Sequence, residues 1–232
     1  MSFRFKQFSI DDGRCAMKVG TDGVLLGAWV RVDGVSTAVD LGAGSGLVSL
    51  MAAQRSPGLK VCAVELDAGA YADCQANFRA SPWAVRLRAV HADALAYAPE
   101  APVDLVASNP PFFTEELHSP DAARAWARHA GALSPKTAIE WAARWLSADG
   151  SVALVLPFGD ADEAIYVAEM ARLKEQRRLD ISHRTGSAPI RTLLQLGRRD
   201  CCPERRAMAI RNAQGGYTDE YRRLTSPFYL NF

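Results

Sequence analysis

Asn109-Pro110-Pro111-Phe112 is the stretch of this chain whose residue types are best suited to chemistry. It follows Val103-Asp104-Leu105-Val106-Ala107-Ser108, a mostly apolar run that reads as a strand of a buried sheet. Two prolines then stop helix and ladder alike and remove two backbone N–H donors. Beyond the strand the main chain offers mainly acceptors, with the Asn109 amide oxygen and the Pro110 carbonyl foremost. Such a pair suits a planar amine, whose two N–H groups it can hold. Phe112 adds a flat apolar face on which a base can stack. Taken alone, the four residues also fit an ordinary proline turn.

A second constellation lies upstream. Val39-Asp40-Leu41-Gly42-Ala43-Gly44-Ser45-Gly46 reads as a strand running into a glycine-rich turn and then a helix. The spacing is G-x-G-x-G. The dinucleotide fingerprint needs glycine at position 47, where Leu47 stands, so a pyrophosphate-cradling dehydrogenase is disfavoured. Glu65 follows nineteen residues after Gly46, at the end of the next apolar run, where a carboxylate can accept from both hydroxyls of a ribose. Asp93 comes after the third run, placed to accept from an adenine amino group. Glu65 and Asp93 each also fit a helix cap. In order, three strand ends carry Asp40 with its glycine turn, Glu65 and Asp93, and a fourth carries Asn-Pro-Pro-Phe. All belong to the carboxyl edge, where open α/β sheets bind ligands.

The elements that must position them alternate. Strands are expected at 35–41, 60–66, 85–91, 103–108 and 151–156, and helices at 46–55, 68–80, 135–146 and 161–174. Ser134-Pro135 marks a helix start and Asp149-Gly150 a helix end. This alternation calls for a mostly parallel sheet with helices on both faces, a three-layer α/β sandwich. Past Lys174 three strands, 179–183, 190–196 and 205–211, follow without helices between them, which predicts an antiparallel C-terminal edge. The expected organisation is one domain: an N-terminal extension over 1–34, an α/β core over 35–174, and antiparallel strands with a basic tail over 175–232. Residues 113–133 read as a loop over the site. Trp126, Trp141 and Trp145 read as helix core, and His91 as structural.

Composition narrows the class. The chain has 232 residues, 49% of them hydrophobic, and no apolar run of the ~20 residues that span a bilayer. The N-terminus lacks a signal-peptide core, and five cysteines occur without a C-x-x-C pair. A cytoplasmic protein without a metal is therefore expected. Net charge is only +1, yet residues 172–223 hold thirteen Lys/Arg against six Asp/Glu, so the remainder is acidic. Such segregation points to a polyanion surface.

The order of motifs over about residues 35–160 resembles the class I S-adenosylmethionine-dependent methyltransferases, which implies a Rossmann-like fold. Matching motif by motif, the resemblance implies that Gly42, Gly44 and Gly46 lie against the methionine part of S-adenosyl-L-methionine, that Glu65 holds its ribose and that Asp93 contacts its adenine. Asn109, Pro110 and Phe112 take the roles of the amino-methylating branch, which acts on adenine N6, guanine N2 or the glutamine amide of release factors. The flanks narrow the choice. Phe5-Lys6-Gln7-Phe8, the segment from Lys18 to Trp29, and the tail from Tyr217 to Leu230 resemble the bacterial tRNA1(Val) adenine-N6 methyltransferases. That resemblance implies tRNA, through its anticodon stem-loop, as partner and the adenosine 3′ of the anticodon as target. Release-factor enzymes usually carry tyrosine at the Phe112 position and a separate N-terminal domain. The rRNA guanine-N2 enzymes usually carry a duplicated domain, and a non-catalytic RNA-binding scaffold would not need the intact motifs. Lys18, Thr21 and Asp22 can close the cofactor site, although Asp22 also fits a helix start. Arg124, Arg128 and His129, late in the segment 113–133, fit contacts to phosphates or the base and equally a solvated helix face, and Arg198, Arg205 and Arg206 in the basic third are, with Arg128, the expected substrate contacts.

Overall fold

In the computed structural model, residues 2–111 and 133–231 are described. The N-terminus forms a small antiparallel ribbon, β1 (Ser2–Arg4) with β2 (Ser9–Asp11), followed by helix α1 (Thr21–Trp29). The α/β alternation then runs β3 (Thr37–Leu41), α2 (Leu47–Arg55), β4 (Lys60–Glu65), α3 (Ala68–Ala80), β5 (Leu87–His91) and β6 (Val103–Ser108). After the undescribed stretch come α4 (Pro135–Trp145), β7 (Leu146–Pro157), α5 (Ala161–Met170), β8 (Lys174–Arg184), β9 (Pro189–Gly197), β10 (Glu204–Arg211) and α6 (Asp219–Thr225).

The eight long strands form one sheet in the order β10-β8-β9-β7-β6-β3-β4-β5. Helices cover both faces. One core joins α1, α2, α3 and α6 to the sheet, and a second holds α4 and α5 around Trp141, Ile139 and Leu154. Strands buried on both faces read as continuous apolar runs, which explains why β3, β4, β6 and β7 are legible in the sequence. The expected antiparallel edge takes a specific form. β9 runs against both β7 and β8, whereas the outermost pair, β10 with β8, is parallel.

Local chemistry explains the helix ends. Ser134 and Thr137 form a reciprocal capping box with Pro135 in the first turn of α4, as its sequence signals. Asp67 caps α3 by accepting the Ala70 N–H at 2.8 Å. Helix α5 stops at Met170, short of the expected Lys174. Arg172 adopts φ +60°, with Leu173 N–H bonded to Ala168 O and Arg172 N–H to Glu169 O. That Schellman closure ordinarily uses glycine, and an arginine there leaves no sequence signal. Likewise Val85, 96% exposed, belongs to a short 3-10 turn before β5 and not to the strand.

The N-terminal segment is built into the body of the molecule. Phe5, Phe8 and Ile10 are buried, Phe5 stacks on Tyr229 near the C-terminus, and Lys6 donates to the Ser226 carbonyl. A Cβ at Gly27 of α1 would sit 2.7 Å from Met51 Sδ, so that glycine sets how closely α1 rests on α2. No helix among the described residues is long and apolar enough to cross a membrane.

Candidate active site

At the carboxyl ends of β3, β4, β5 and β6 the chain encloses a cavity of about 630 Å³, a size that suits a nucleoside-sized ligand. Its floor is the glycine turn. Gly42 and Ala43 N–H groups both donate to the Val64 carbonyl, tying the turn to β4. Gly44, at φ +56°, has open space where a Cβ would project, so its backbone is bare toward the cavity. Gly46 differs. It is not part of the lining, and at φ +83° a Cβ would fall 2.5 Å from Phe78 and 2.9 Å from Cys74. It is the contact between the turn and α3, whereas Gly42 packs under Leu133.

Glu65 ends β4 at the cavity wall. Its Oε2 accepts the Gly44 N–H at 2.7 Å and its Oε1 the Asp67 N–H at 2.8 Å. Two backbone donors thus hold the carboxylate in one orientation, and the N-cap of α3 is Asp67, not Glu65. Asp93 follows β5 and accepts the Leu95 N–H at 2.9 Å, which fixes another carboxylate at the wall. Asp40 lies beneath the turn at 2% exposure, where Ser49 donates its Oγ at 2.7 Å and its N–H at 3.2 Å. Burial pushes the Asp40 carboxyl up to about 6 against the opposing pull of those two bonds. Those bonds pin the first turn of α2 to β3, and Asp40 is also among the residues that line the cavity. His91 bonds the Leu66 carbonyl through Nε2 and stacks on Tyr71, a structural arrangement.

β6 delivers the amide. Ser108 Oγ donates to the Leu41 carbonyl at 2.7 Å and locks the end of β6 against the start of the glycine turn. Asn109 and Pro111 then line the cavity, with Pro110 buried behind them. Asn109 Oδ1 is buried and accepts no hydrogen bond among the described residues. A desolvated acceptor without a donor costs about 1–3 kcal/mol. Phe112, Arg124, Trp126, Arg128 and His129 lie outside the described residues.

The opposite wall is the segment from Arg14 to Gly23. Lys18 Nζ donates to the carbonyls of Asp12, Gly13 and Cys15 and so folds this segment on itself. Asp73 of α3 clamps it by accepting the Arg14 N–H and Nε. Cys15 Sγ also contacts Asp73, and burial pushes that thiol up to about 12, so it stays protonated. Thr21 and Asp22 open α1 at the cavity. Asp22 is ion-paired with Arg191 of β9 at 2.8 Å and is not the helix cap, a position held by Gly20. Arg191, Asp73 and Leu133 escape sequence reading because partners 50 to 170 residues away give them meaning.

Arg198, Arg205 and Arg206 do not reach this cavity. Arg205 makes two 2.7 Å bonds to the buried Glu175, Arg206 pairs with Glu204, and Arg198 donates to the Ala143 carbonyl. The register Glu204↔Arg177 and Lys174↔Gly197 puts all three at the amino edge of the sheet.

The chain matches the model of the methyltransferase small domain over residues 20–157. It is 43% identical over 229 residues to the tRNA1(Val) (adenine(37)-N6)-methyltransferase of Aeromonas hydrophila, covering 98% of this chain and 97% of the relative. The enzyme of the same name from Bacteroides thetaiotaomicron is 38% identical over 232 residues, covering 99% and 97%. Among solved structures, a protein of Agrobacterium tumefaciens described as an O-methyltransferase superposes with a TM-score of 0.66 at 18% identity, covering 89% of this chain and 96% of that one. An S-adenosylmethionine-dependent methyltransferase of Thiobacillus denitrificans, solved with S-adenosyl-L-homocysteine, gives 0.52 at 18% identity, covering 72% and 69%. Both share the fold. Near-identical length, identity around 40% and a matched domain model converge: the chain belongs to the methyltransferase small-domain family and, within it, to the tRNA1(Val) (adenine(37)-N6)-methyltransferases.

Proposed function

We propose that this protein transfers a methyl group from S-adenosyl-L-methionine to the N6 amine of an adenosine in tRNA, the one 3′ of the anticodon in tRNA1(Val). The observation that carries the reading is Asn109 Oδ1, a buried acceptor without a donor at the cavity wall. The donor set fits the cofactor. Glu65, held by two backbone N–H groups, takes the two ribose hydroxyls; Asp93 takes the adenine amino group; the bare backbone at Gly44, with Gly42, lies against the methionine part. The sulfonium supplies an already activated methyl group.

The protein's own work is positioning. An exocyclic adenine amine is a weak nucleophile because its lone pair is delocalised into the ring. When Asn109 Oδ1 and the Pro110 carbonyl accept its two hydrogens, the nitrogen pyramidalises and its lone pair turns toward the methyl group. Neither acceptor is a base, so the proton lost after N–C bond formation leaves to water. Phe112 supplies the stacking face, worth ~1–3 kcal/mol per base, and a loop nucleotide is cheaper to extrude than a paired one.

The test is methyl transfer from radiolabelled S-adenosylmethionine into total tRNA from a strain lacking this gene, followed by nucleoside mass spectrometry. N6-methyladenosine is expected. N2-methylguanosine, or transfer to release-factor protein alone, overturns the substrate assignment and leaves the fold and cofactor readings standing.

A further inference from the structure

Residues 174–211 hold ten lysines and arginines, and their side-chain partners separate them sharply. Lys174 pairs with Asp200, Arg178 with Asp162 and Asp180, Arg191 with Asp22, Arg199 with Asp149, Arg205 with Glu175, and both Arg177 and Arg206 with Glu204. Arg198 donates to a carbonyl, and Arg211 lies 4.3 Å over Tyr217 while donating to the Gly215 carbonyl. Arg184 is the remaining one. Its exposed guanidinium has no hydrogen bond, ion pair or ring contact among the described residues.

Its position is what matters. β8 runs parallel to the strands of the cavity, since β9 is antiparallel to both β7 and β8. Ser108 is level with Leu154 of β7, and Arg191 is level with Pro157 of β7 and Ile181 of β8. Arg184 therefore stands beyond the carboxyl edge beside the mouth that Arg191 lines. Arg205 and Arg184 belong to opposite ends of one parallel ladder, six residues apart, or roughly 20 Å at 3.3 Å per residue. The tip that presents Arg184 is braced: Ser187 returns its N–H and Oγ to the Arg184 carbonyl, and Thr185 donates its N–H to the Arg211 carbonyl.

We infer that the braced tip of the β8–β9 hairpin is the surface on which the RNA backbone beside the target nucleotide rests. Arg184 is its phosphate contact, and the amino-edge arginines play no part. This rests on the tRNA reading above and deepens it. An unpaired cation beside the mouth can neutralise a phosphate without first giving up an acid, and a braced turn presents it at little ordering cost.

The test uses the full-length protein and tRNA, with Arg184→Ala, Arg184→Glu and the amino-edge double variant Arg199→Ala/Arg206→Ala. Arg184→Glu is expected to raise the KM for tRNA about tenfold or more. Arg184→Ala should lower the slope of log K against log salt by ~0.7–0.9, the loss of about one phosphate contact. Thermal stability and S-adenosylmethionine affinity should stay at wild-type values. The double variant should leave the KM for tRNA within twofold. A KM for Arg184→Glu within twofold of wild type, or a loss confined to the double variant, overturns the docking surface while methylation by the wild type keeps the function intact. A wild-type protein that neither binds nor methylates tRNA overturns both.

Discussion

Replacing Asn109 with alanine separates a residue kept for function from one kept for structure. In the free protein Asn109 Oδ1 is buried and unsatisfied among the described residues, so its removal relieves about 1–3 kcal/mol of desolvation cost. Asn109 is among the residues that line the cavity, beside open space. Stability should thus hold or rise, and for a chain of this size each kcal/mol moves Tm by roughly 2–4 °C. Turnover should move the other way. Losing one preorganised partner of the reacting group typically costs on the order of 10²–10³ in kcat, about 2.7–4 kcal/mol. Calorimetric affinity for S-adenosylmethionine should be unchanged, because Asn109 addresses the amine. The assay pairs single-turnover methylation of tRNA with a thermal melt of the same preparation. A loss of kcat below tenfold, or a Tm several degrees lower than wild type, refutes the reasoning and returns Asn109 to a structural role.

Three further outcomes follow from the same geometry. Glu65→Ala should weaken S-adenosylmethionine binding, since two ribose hydroxyls lose a charged acceptor at roughly 1.5–3 kcal/mol per bond; unchanged calorimetric affinity would sink that assignment. Gly46→Ala should destabilise the fold strongly, because it adds a clash with Phe78 at 2.5 Å to left-handed backbone strain, whereas Gly44→Ala carries the backbone strain alone and should destabilise less while weakening cofactor binding; melts and titrations of both variants test the split. For Asp40, the folded carboxyl is raised to about 6 from 3.8, so the native state binds the extra proton and stability falls as pH rises through that window. Asp40→Asn should therefore improve relative to wild type by about 2 kcal/mol between pH 4.5 and 7.5, read from denaturant curves, and a pH-independent difference would contradict the buried charge.

Reading along the chain was enough for everything that depends on near neighbours in sequence. The buried strands announce themselves as apolar runs, Ser134-Pro135 announces α4, and Gly44, Glu65, Asp93 and Asn109 fall at the cavity because a parallel α/β sheet brings every strand end to one edge. The end of α5 was not legible, since Arg172 occupies a left-handed position that glycine normally marks. Lys18, Thr21 and Asp22 were legible as a wall of the site, but the clamps that hold that wall, Asp73 on Arg14 and Arg191 on Asp22, were not, because those partners are distant in the chain. The basic third shows the limit most clearly. Its excess charge is countable from composition, but whether an arginine faces the cavity or the far edge depends on strand direction and register. The reversal of β9 sends Arg191 to the site and Arg198 away from it, and the parallel pairing of β10 with β8 puts Arg205 at one end and Arg184 at the other. Charge is a property of residues, and its placement is a property of pairing, which forms only when strands distant in sequence meet.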